Sequence, residues 1–310
     1  IDPFTGEIKA IGGAIGEKDR NFGFNYAIDA HRPSGSSAKP LASYGPAMDL
    51  GLITESTLVD DSPDIQLRGT YWYPRNSGSS YDGIITIWDA LVRSKNTVAA
   101  QIIDKLTPSV SFEYLTERMG FQLVEADRDY APLALGQFTY GVTVREMAQA
   151  YTSFPNDGEM TYARSYSLIT DSNGNTVLEN GMRTSHVFSV DTARCMTEML
   201  EAAAWYGTGY EVYLGYGKMP VAGKTGTTSD DYDRWLCGFS PYYVTAVWTG
   251  YDMPEYMNFS GNPAAQIWKL VMDPIHKDLA TKSFPTPNVG TPTGIFGDFS
   301  KQTQEADDTE

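Results

Sequence analysis

Cysteine is nearly absent from this chain: two residues, Cys195 and Cys237, among 310. They form no C-x-x-C pair and cannot build a disulfide framework, which excludes a stapled mini-domain and a cysteine-based metal or redox motif. Both have apolar neighbours (Ala193-Arg194-Cys195-Met196 and Trp235-Leu236-Cys237-Gly238), the setting of buried free thiols. Histidine is equally scarce, with His31, His186 and His276 widely separated and no H-E-x-x-H spacing, so a zinc site is not expected. No G-x-S-x-G elbow is present, and a Ser-His-Asp triad would have to assemble from distant positions. No run of about 18 apolar residues exists, so no segment is expected to span a bilayer. Basic residues are outnumbered, 23 against 39 acidic, for a net charge of −16. That argues against a uniformly cationic surface for nucleic acid. The chain starts without Met or a signal peptide and opens on Ile1-Asp2-Pro3, close to a strand. A piece of a longer protein, with any anchor upstream, is the expectation.

What is present is globular. Hydrophobic residues make up 41%, aromatics 13% and charged residues 20%. At this length folding buries about three quarters of the surface, so no staples are needed. Residues 4–15 read as a strand after a Thr5-Gly6 turn, with 22–30 as a hairpin partner. Pro33-Ser34-Gly35 breaks the chain. Residues 36–50 are helical, with Leu41, Tyr44, Ala47 and Met48 on one face. Residues 52–82 are loop-like around Tyr71-Trp72-Tyr73-Pro74. Residues 84–154 read as several short helices, the clearest at 143–154. Residues 161–178 suggest strands about an Asn173-Gly174 turn. Ser189 is a candidate N-cap for a helix to about Ala204. Strands follow at 219–228, 234–240 and 243–251, then a helix at 263–279. Residues 285–310 turn to Pro, Thr and Gly and end acidic, as a linker or tail would. Strands, then helices, then strands suggest an α+β sheet whose two ends meet around a helical insertion.

Three short motifs carry possible chemistry. Ser36-Ser37-Ala38-Lys39 is S-x-x-K, Ser94-Lys95-Asn96 is S-x-N, and Lys224-Thr225-Gly226-Thr227 is K-T-G-T. The first is weak alone: 23 Ser and 11 Lys give about 0.8 matches by chance. S-x-N is weaker and recurs at Ser260-Gly261-Asn262. K-T-G-T is the sharp one, at about 0.01 chance matches. Ser36 opens a helix, where free N–H groups favour developing negative charge. Lys39 is one turn on, on the same face. A serine needs a base, and a lysine desolvated beside another cation can be neutral enough to serve; Lys224 would be that cation. Gly226 would let a substrate backbone approach an edge strand, and Thr227 would offer an N–H to an oxyanion. Gly223-Lys224-Thr225 looks like the end of a P-loop, but its first glycine would fall on Lys218, and nucleotide binding is rejected. Asp230, Asp231 and Asp233 read as a solvated acidic loop rather than a cation site. Tyr71-Trp72-Tyr73 is as readily core as cleft lining.

The three motifs in this order, with their flanks, resemble the transpeptidase domain of a class A (bifunctional) penicillin-binding protein. The matching stretches are residues 1–8, Arg32 to Pro40, Tyr73-Pro74-Arg75-Asn76, Ala90 to Asn96, Leu133-Ala134-Leu135-Gly136, Gly207-Thr208-Gly209 and Ala222 to Tyr251. The resemblance implies an α+β fold: an antiparallel sheet of about five strands with helices on both faces, plus a mostly helical subdomain at about 52–155 carrying Ser94. The domain would be 1–284, followed by the 285–310 tail. It implies a serine D,D-transpeptidase that cross-links peptidoglycan. Ser36 would attack the D-Ala-D-Ala carbonyl of a stem peptide, and an amine of a neighbouring stem would take the acyl group. Lys39 would be the base and Ser94 the proton relay to the leaving amine. Asn96 would hold the acyl amide. Lys224 and Thr225 would bind the terminal carboxylate, with Thr227 helping there and also at the oxyanion hole together with the Ser36 N–H. No cofactor and no metal is implied. The expected partners are stem peptides, β-lactams acylating Ser36, and an upstream glycosyltransferase domain and membrane anchor outside this chain. The place of action would be the outer face of the cytoplasmic membrane. The family order favours Ser94 over Ser260. A serine β-lactamase on the same core, or a penicillin sensor, are the competing readings.

Overall fold

Pro40 shapes the turn that precedes it. Proline has no N–H, so the Ser36 carbonyl cannot receive the usual bond from four residues on. Lys39 N–H takes it instead, and Gly35–Ala38 closes as a 3-10 turn. A π turn (Pro40–Tyr44) and helix α1 (Gly45–Asp49) continue the run. The single helix expected over 36–50 is thus three helical geometries in series. In a 3-10 turn residues i and i+3 eclipse, which puts Ser36 and Lys39 on one side.

The computed structural model describes residues 1–17, 21–212 and 219–288. Strand β1 (Leu58–Asp61) pairs antiparallel with β2 (Gly83–Thr86). Five short helices follow: α2 (Ile87–Val92), α3 (Asn96–Leu106), α4 (Pro108–Glu113), α5 (Tyr130–Leu135) and α6 (Val144–Tyr151). Thr143 and Glu146 close a capping box on α6. Next comes β3 (Glu159–Thr161), then a β4 (Leu168–Thr170) and β5 (Thr176–Glu179) hairpin around Asn173-Gly174. β6 (Thr184–His186) returns to pair with β3. Helix α7 (Val190–Trp205) starts at Ser189, whose hydroxyl accepts from Thr192 N–H. The chain then forms β7 (Ala222–Thr227), β8 (Asp233–Phe239) and β9 (Val244–Gly250), and ends in α8 (Pro263–His276).

The order β7-β8-β9 makes one antiparallel sheet. β8 is buried along nearly its whole length, as a central strand covered on both faces should be. Its alternate residues face opposite cores. Trp235, Cys237 and Phe239 join the main core with Tyr151 and Phe154. Leu236 faces Trp268, Ala264 and Met272 of α8. Helices therefore cover both faces, as the resemblance implied.

The strand count does not follow the expectation of about five. Among the described residues this sheet has three strands. Residues 4–15 form no strand: Glu7 makes an isolated bridge with Arg164. The run that follows contains Gly12, Gly13 and Gly16, which weaken a strand and offer nothing to pack, and Ile15 is fully exposed. Residues 22–30 form no hairpin with it; Tyr26 N–H reaches Gly13 O at 2.8 Å and the rest turns about Asn25. At the other edge of the chain, Ile1 and Val244 exchange both backbone hydrogen bonds, so the two ends do meet. The tail expected over 285–310 is described only to residue 288. Phe284 packs edge-on against Phe239 and Asn288 Nδ2 donates to Asp191 Oδ1 at 3.0 Å, so its first residues are docked on α7. Its remainder, 289–310, lies outside the described residues.

Two contacts fix the elements that meet at the cleft. The first is backbone on backbone. A Cβ placed on Gly226 would lie 2.2 Å from Ser34 O, and one on Gly136 would lie 2.2 Å from Gly35 O. Gly136 also ends α5 in the left-handed region, φ +65°. The 3-10 turn is therefore seated between α5 and β7 with no side chain in between. The second is a buried ion network under the α2–α3 junction. Lys95 Nζ lies 2.8 Å from Asp61 Oδ2 and 2.6 Å from Asp82 Oδ2. Asp61 also accepts from Thr97 Oγ1 and Asn76 Nδ2. Burial would raise the Asp61 carboxyl, but these donors hold it below the usual carboxylate range. Asn76 Oδ1 accepts from Asn96 N–H at 2.7 Å and caps α3, a service Lys95 at the N-cap cannot perform.

Two stability measurements test these seats. Gly226→Ala should lose about 1–3 kcal/mol in denaturant unfolding through overpacking, while Gly12→Ala, with open space around it, should not. Asp61→Ala should lose about 1–3 kcal/mol, because Thr97 Oγ1 and Asn76 Nδ2 lose their acceptor while Lys95 keeps Asp82.

Candidate active site

The residues of the three motifs gather at one cleft of about 1040 Å³. Ser36 comes from the 3-10 turn, Ser94 and Asn96 from the α2–α3 junction, and Thr225 and Thr227 from β7; all five line it. Ser94 is held in the left-handed region at φ +60°, a strained conformation for serine. The Lys95 network and Asn76 cap described above hold it there.

Lys39 and Lys224 stand behind this wall, both without solvent exposure. The Lys39 Nζ donates to Asn96 Oδ1 at 2.6 Å, to Ser94 O at 2.8 Å and to Ser94 Oγ at 3.4 Å. Burial, and then the charge of Lys224, push its ammonium well below the ordinary lysine value. Lys224 is pushed down to about 7 by burial alone. Loss of one proton leaves Lys39 with a lone pair in a water-poor site next to the Ser94 hydroxyl. That is the condition under which an amine serves as a general base.

Two expectations need correction. Gly226 does not clear room for a substrate backbone: the space where its side chain would stand is filled by Ser34 O, Trp235 Cβ and Ser37 Oγ. Its absence of a side chain seats the turn that bears Ser36. Lys224 does not stand on the cleft surface either. Its Nζ donates to Thr225 O and to Thr208 Oγ1, both at 3.3 Å, so contact with a bound carboxylate would pass through hydroxyls.

Other sequence readings fall outside the chemistry. In the duplicate S-x-N, Asn262 caps α8, its Oδ1 accepting from Ala264 and Ala265 N–H. Asp233 is not part of a solvated loop: it is buried and accepts from Trp248 Nε1 at 2.8 Å, while Asp231 pairs with Arg234 at 3.2 Å. Tyr71, Trp72 and Tyr73 are not among the cleft-lining residues; Trp72 packs on the core and Tyr71 is exposed. Cys237 is buried, with its thiol pushed up to about 12, whereas Cys195 is only half-buried, its thiol raised to about 11. A Ser–His pair does form, Ser240 Oγ with His276 Nε2 at 2.7 Å. It is buried between α8 and the β8–β9 turn, with His276 Nδ1 on Met272 O, and it clamps structure.

Asn76, Asp61 and Thr208 were not singled out as site residues by sequence. The Tyr73-Pro74-Arg75-Asn76 and Gly207-Thr208-Gly209 stretches were the available signals, but neither spacing nor residue type says what they touch.

Comparison with known proteins agrees with this geometry. The family described as the penicillin binding protein transpeptidase domain matches residues 1–273. Penicillin-binding protein 1A of Clostridium acetobutylicum is 37% identical over 304 residues, 95% of this chain and 37% of that protein. Penicillin-binding protein 4 of Bacillus subtilis is 33% identical over 272 residues, 87% of this chain and 42% of that protein. The chain thus spans well under half the length of these curated relatives. Among solved structures, PonA1 of Mycobacterium tuberculosis in complex with penicillin V superposes with a TM-score of 0.77 at 26% identity, over 96% of this chain and 82% of that one. Penicillin-binding protein 1A of Haemophilus influenzae gives 0.71 at 24% identity, over 87% of this chain and 45% of that one. With its motif residues drawn to one cleft and a family match over most of its length, the chain belongs to the penicillin-binding protein transpeptidase domain family.

Proposed function

We propose that this domain is a serine D,D-transpeptidase that cross-links peptidoglycan stem peptides and is acylated by β-lactams. The observation that carries the reading is Lys39, buried, depressed by burial and by Lys224, and bonded to Ser94 and Asn96 beside the Ser36 turn. Ser36 Oγ attacks the carbonyl of the penultimate D-Ala and its proton passes to Lys39. The tetrahedral oxyanion is met by the N–H groups of Ser36 and Thr227; the close approach of Gly35 to the Thr227 backbone supports this pairing. Collapse of the intermediate breaks the peptide bond, and Ser94 delivers a proton to the departing D-Ala amine. Asn96 orients the acyl amide. The amine of a second stem then attacks the ester and regenerates Ser36. Thr227 receives the terminal carboxylate, with Thr225 and Lys224 supporting it from behind. The working place is the outer face of the cytoplasmic membrane, with the anchor and a glycosyltransferase domain upstream. Among the described residues no helix is long and apolar enough to cross a membrane.

A β-lactamase on this core would need a carboxylate free to activate water. The cleft acids are engaged: Asp82 with Lys95, Glu211 with Asn262 N–H and Asp231 with Arg234. This favours transfer to an amine over rapid hydrolysis.

Intact-protein mass after adding a penicillin tests the reading. The wild type should carry one stable adduct and Ser36→Ala none; labelling that survives Ser36→Ala removes the nucleophile assignment. Lys39→Ala should slow acylation by about 10²–10⁴-fold, and an unaltered rate would remove it as the base. The pH profile has a sign on each limb. Acylation rises as Lys39, with its lowered value, loses its proton. For donors with a carboxylate the second-order rate falls as Lys224 discharges through about 7, a limb that carboxylate-free esters should lack.

A further inference from the structure

We infer that Thr208 is a specificity-determining residue, the hydroxyl through which buried Lys224 is coupled to the terminal carboxylate of the acyl donor. The inference rests on the functional reading above and adds a contact to it.

Lys224 has no exposed surface, so its ammonium cannot meet a ligand in the cleft directly. Its Nζ points two ways: to Thr225 O within the same strand and to Thr208 Oγ1, each at 3.3 Å. Thr208 is exposed and lines the cleft with Ser36, Ser94 and Thr225. The bond from Lys224 therefore leads toward the cleft through this hydroxyl. Thr225 Oγ1 also donates to Thr208 Oγ1, at 3.1 Å. A hydroxyl oxygen has two lone pairs and one proton. With both lone pairs receiving donors, Thr208 has only its proton left to offer. It can donate and cannot accept. Such a group favours a ligand atom that only accepts, and a cation one bond behind it strengthens that donation toward an anion. A carboxylate oxygen meets both conditions. A neutral ester meets the first and loses the second.

The hydroxyl is also held in place before any ligand arrives. Thr208 N–H donates to Val92 O at 3.3 Å and Gly209 N–H to Ala203 O at 2.9 Å. Gly207 lies so close to α2 that a Cβ there would stand 2.6 Å from Val92 O. The Gly207–Gly209 turn thus bridges the ends of α7 and α2, the helix that leads into Ser94. Fixed donors aimed at the site of charge bind an anion with little reorganisation.

The test uses the whole chain and two acyl donors, a D-alanyl thioester ending in a free carboxylate and its methyl ester. The quantity read is the ratio of their kcat/KM values. Thr208→Val keeps shape and removes the hydroxyl; it should lower the wild-type ratio about tenfold, mainly through a higher KM for the carboxylate donor, as loss of one hydrogen bond of about 1.4 kcal/mol would. Thr208→Ala should do the same, and Thr208→Ser should recover most of the preference. A ratio unchanged in both Thr208→Val and Thr208→Ala overturns the role of Thr208 while leaving the transpeptidase reading standing. A wild type that does not prefer the carboxylate at all, or is not acylated at Ser36, overturns that reading and this inference with it.

Discussion

Two ammonium groups without solvent, close enough for one to depress the other, set the terms for the rest of this structure. Removing a lysine charge from water is expensive unless acceptors replace the lost hydration or the proton leaves. Both remedies are in use. Lys39 is given Asn96 Oδ1, Ser94 O and Ser94 Oγ, and Lys224 is given Thr225 O and Thr208 Oγ1. Each acceptor lies on a different element from the lysine it serves, apart from Thr225. The α2–α3 junction must therefore reach across to the 3-10 turn, and the loop after α7 must reach β7. The cleft is the space these approaches enclose.

Holding Ser94 at φ +60° needs support from elsewhere, and it comes from charge buried in the opposite sense. Asp61 and Asp82 neutralise Lys95, the residue between Ser94 and Asn96, and Asn76 caps the helix that begins at Asn96. The middle residue of the S-x-N motif is thus an anchor, while the two outer residues line the cleft and bond Lys39.

The parts of the site that are local in sequence were legible there. Ser36 and Lys39 share a turn, and Lys224 to Thr227 share a strand, so the motifs taken together with their flanks can name them as candidates. Ser189 and the Asn173-Gly174 turn were legible for the same reason, since caps and turns are written in neighbouring residues. What could not be read is what tertiary packing alone brings together. Thr208 is an ordinary threonine until the end of α7 is laid against Lys224. Asp61 looks like any loop aspartate until Lys95 is buried on it. The strand expected over residues 4–15 failed because glycines interrupt its apolar residues, and in the fold the segment pairs only through Glu7 with Arg164 and Gly13 O with Tyr26 N–H. The purpose of Gly226 was misread because spacing does not tell which side of a strand is occupied.

The seat of the Ser36 turn has a consequence for how such a cleft can diverge. Its tightest contacts with Gly136 and Gly226 are made by the main-chain oxygens of Gly35 and Ser34, so most of that geometry does not depend on which side chains surround it. Substitution has no fine adjustment to make there; a change either leaves the seat intact or blocks it. The facing wall is different, because Asn96, Thr208 and the residues around them meet the cleft through side chains that can be exchanged one at a time. Variation in what the cleft prefers is therefore channelled to one side of it, while Ser36 stays where the backbone holds it.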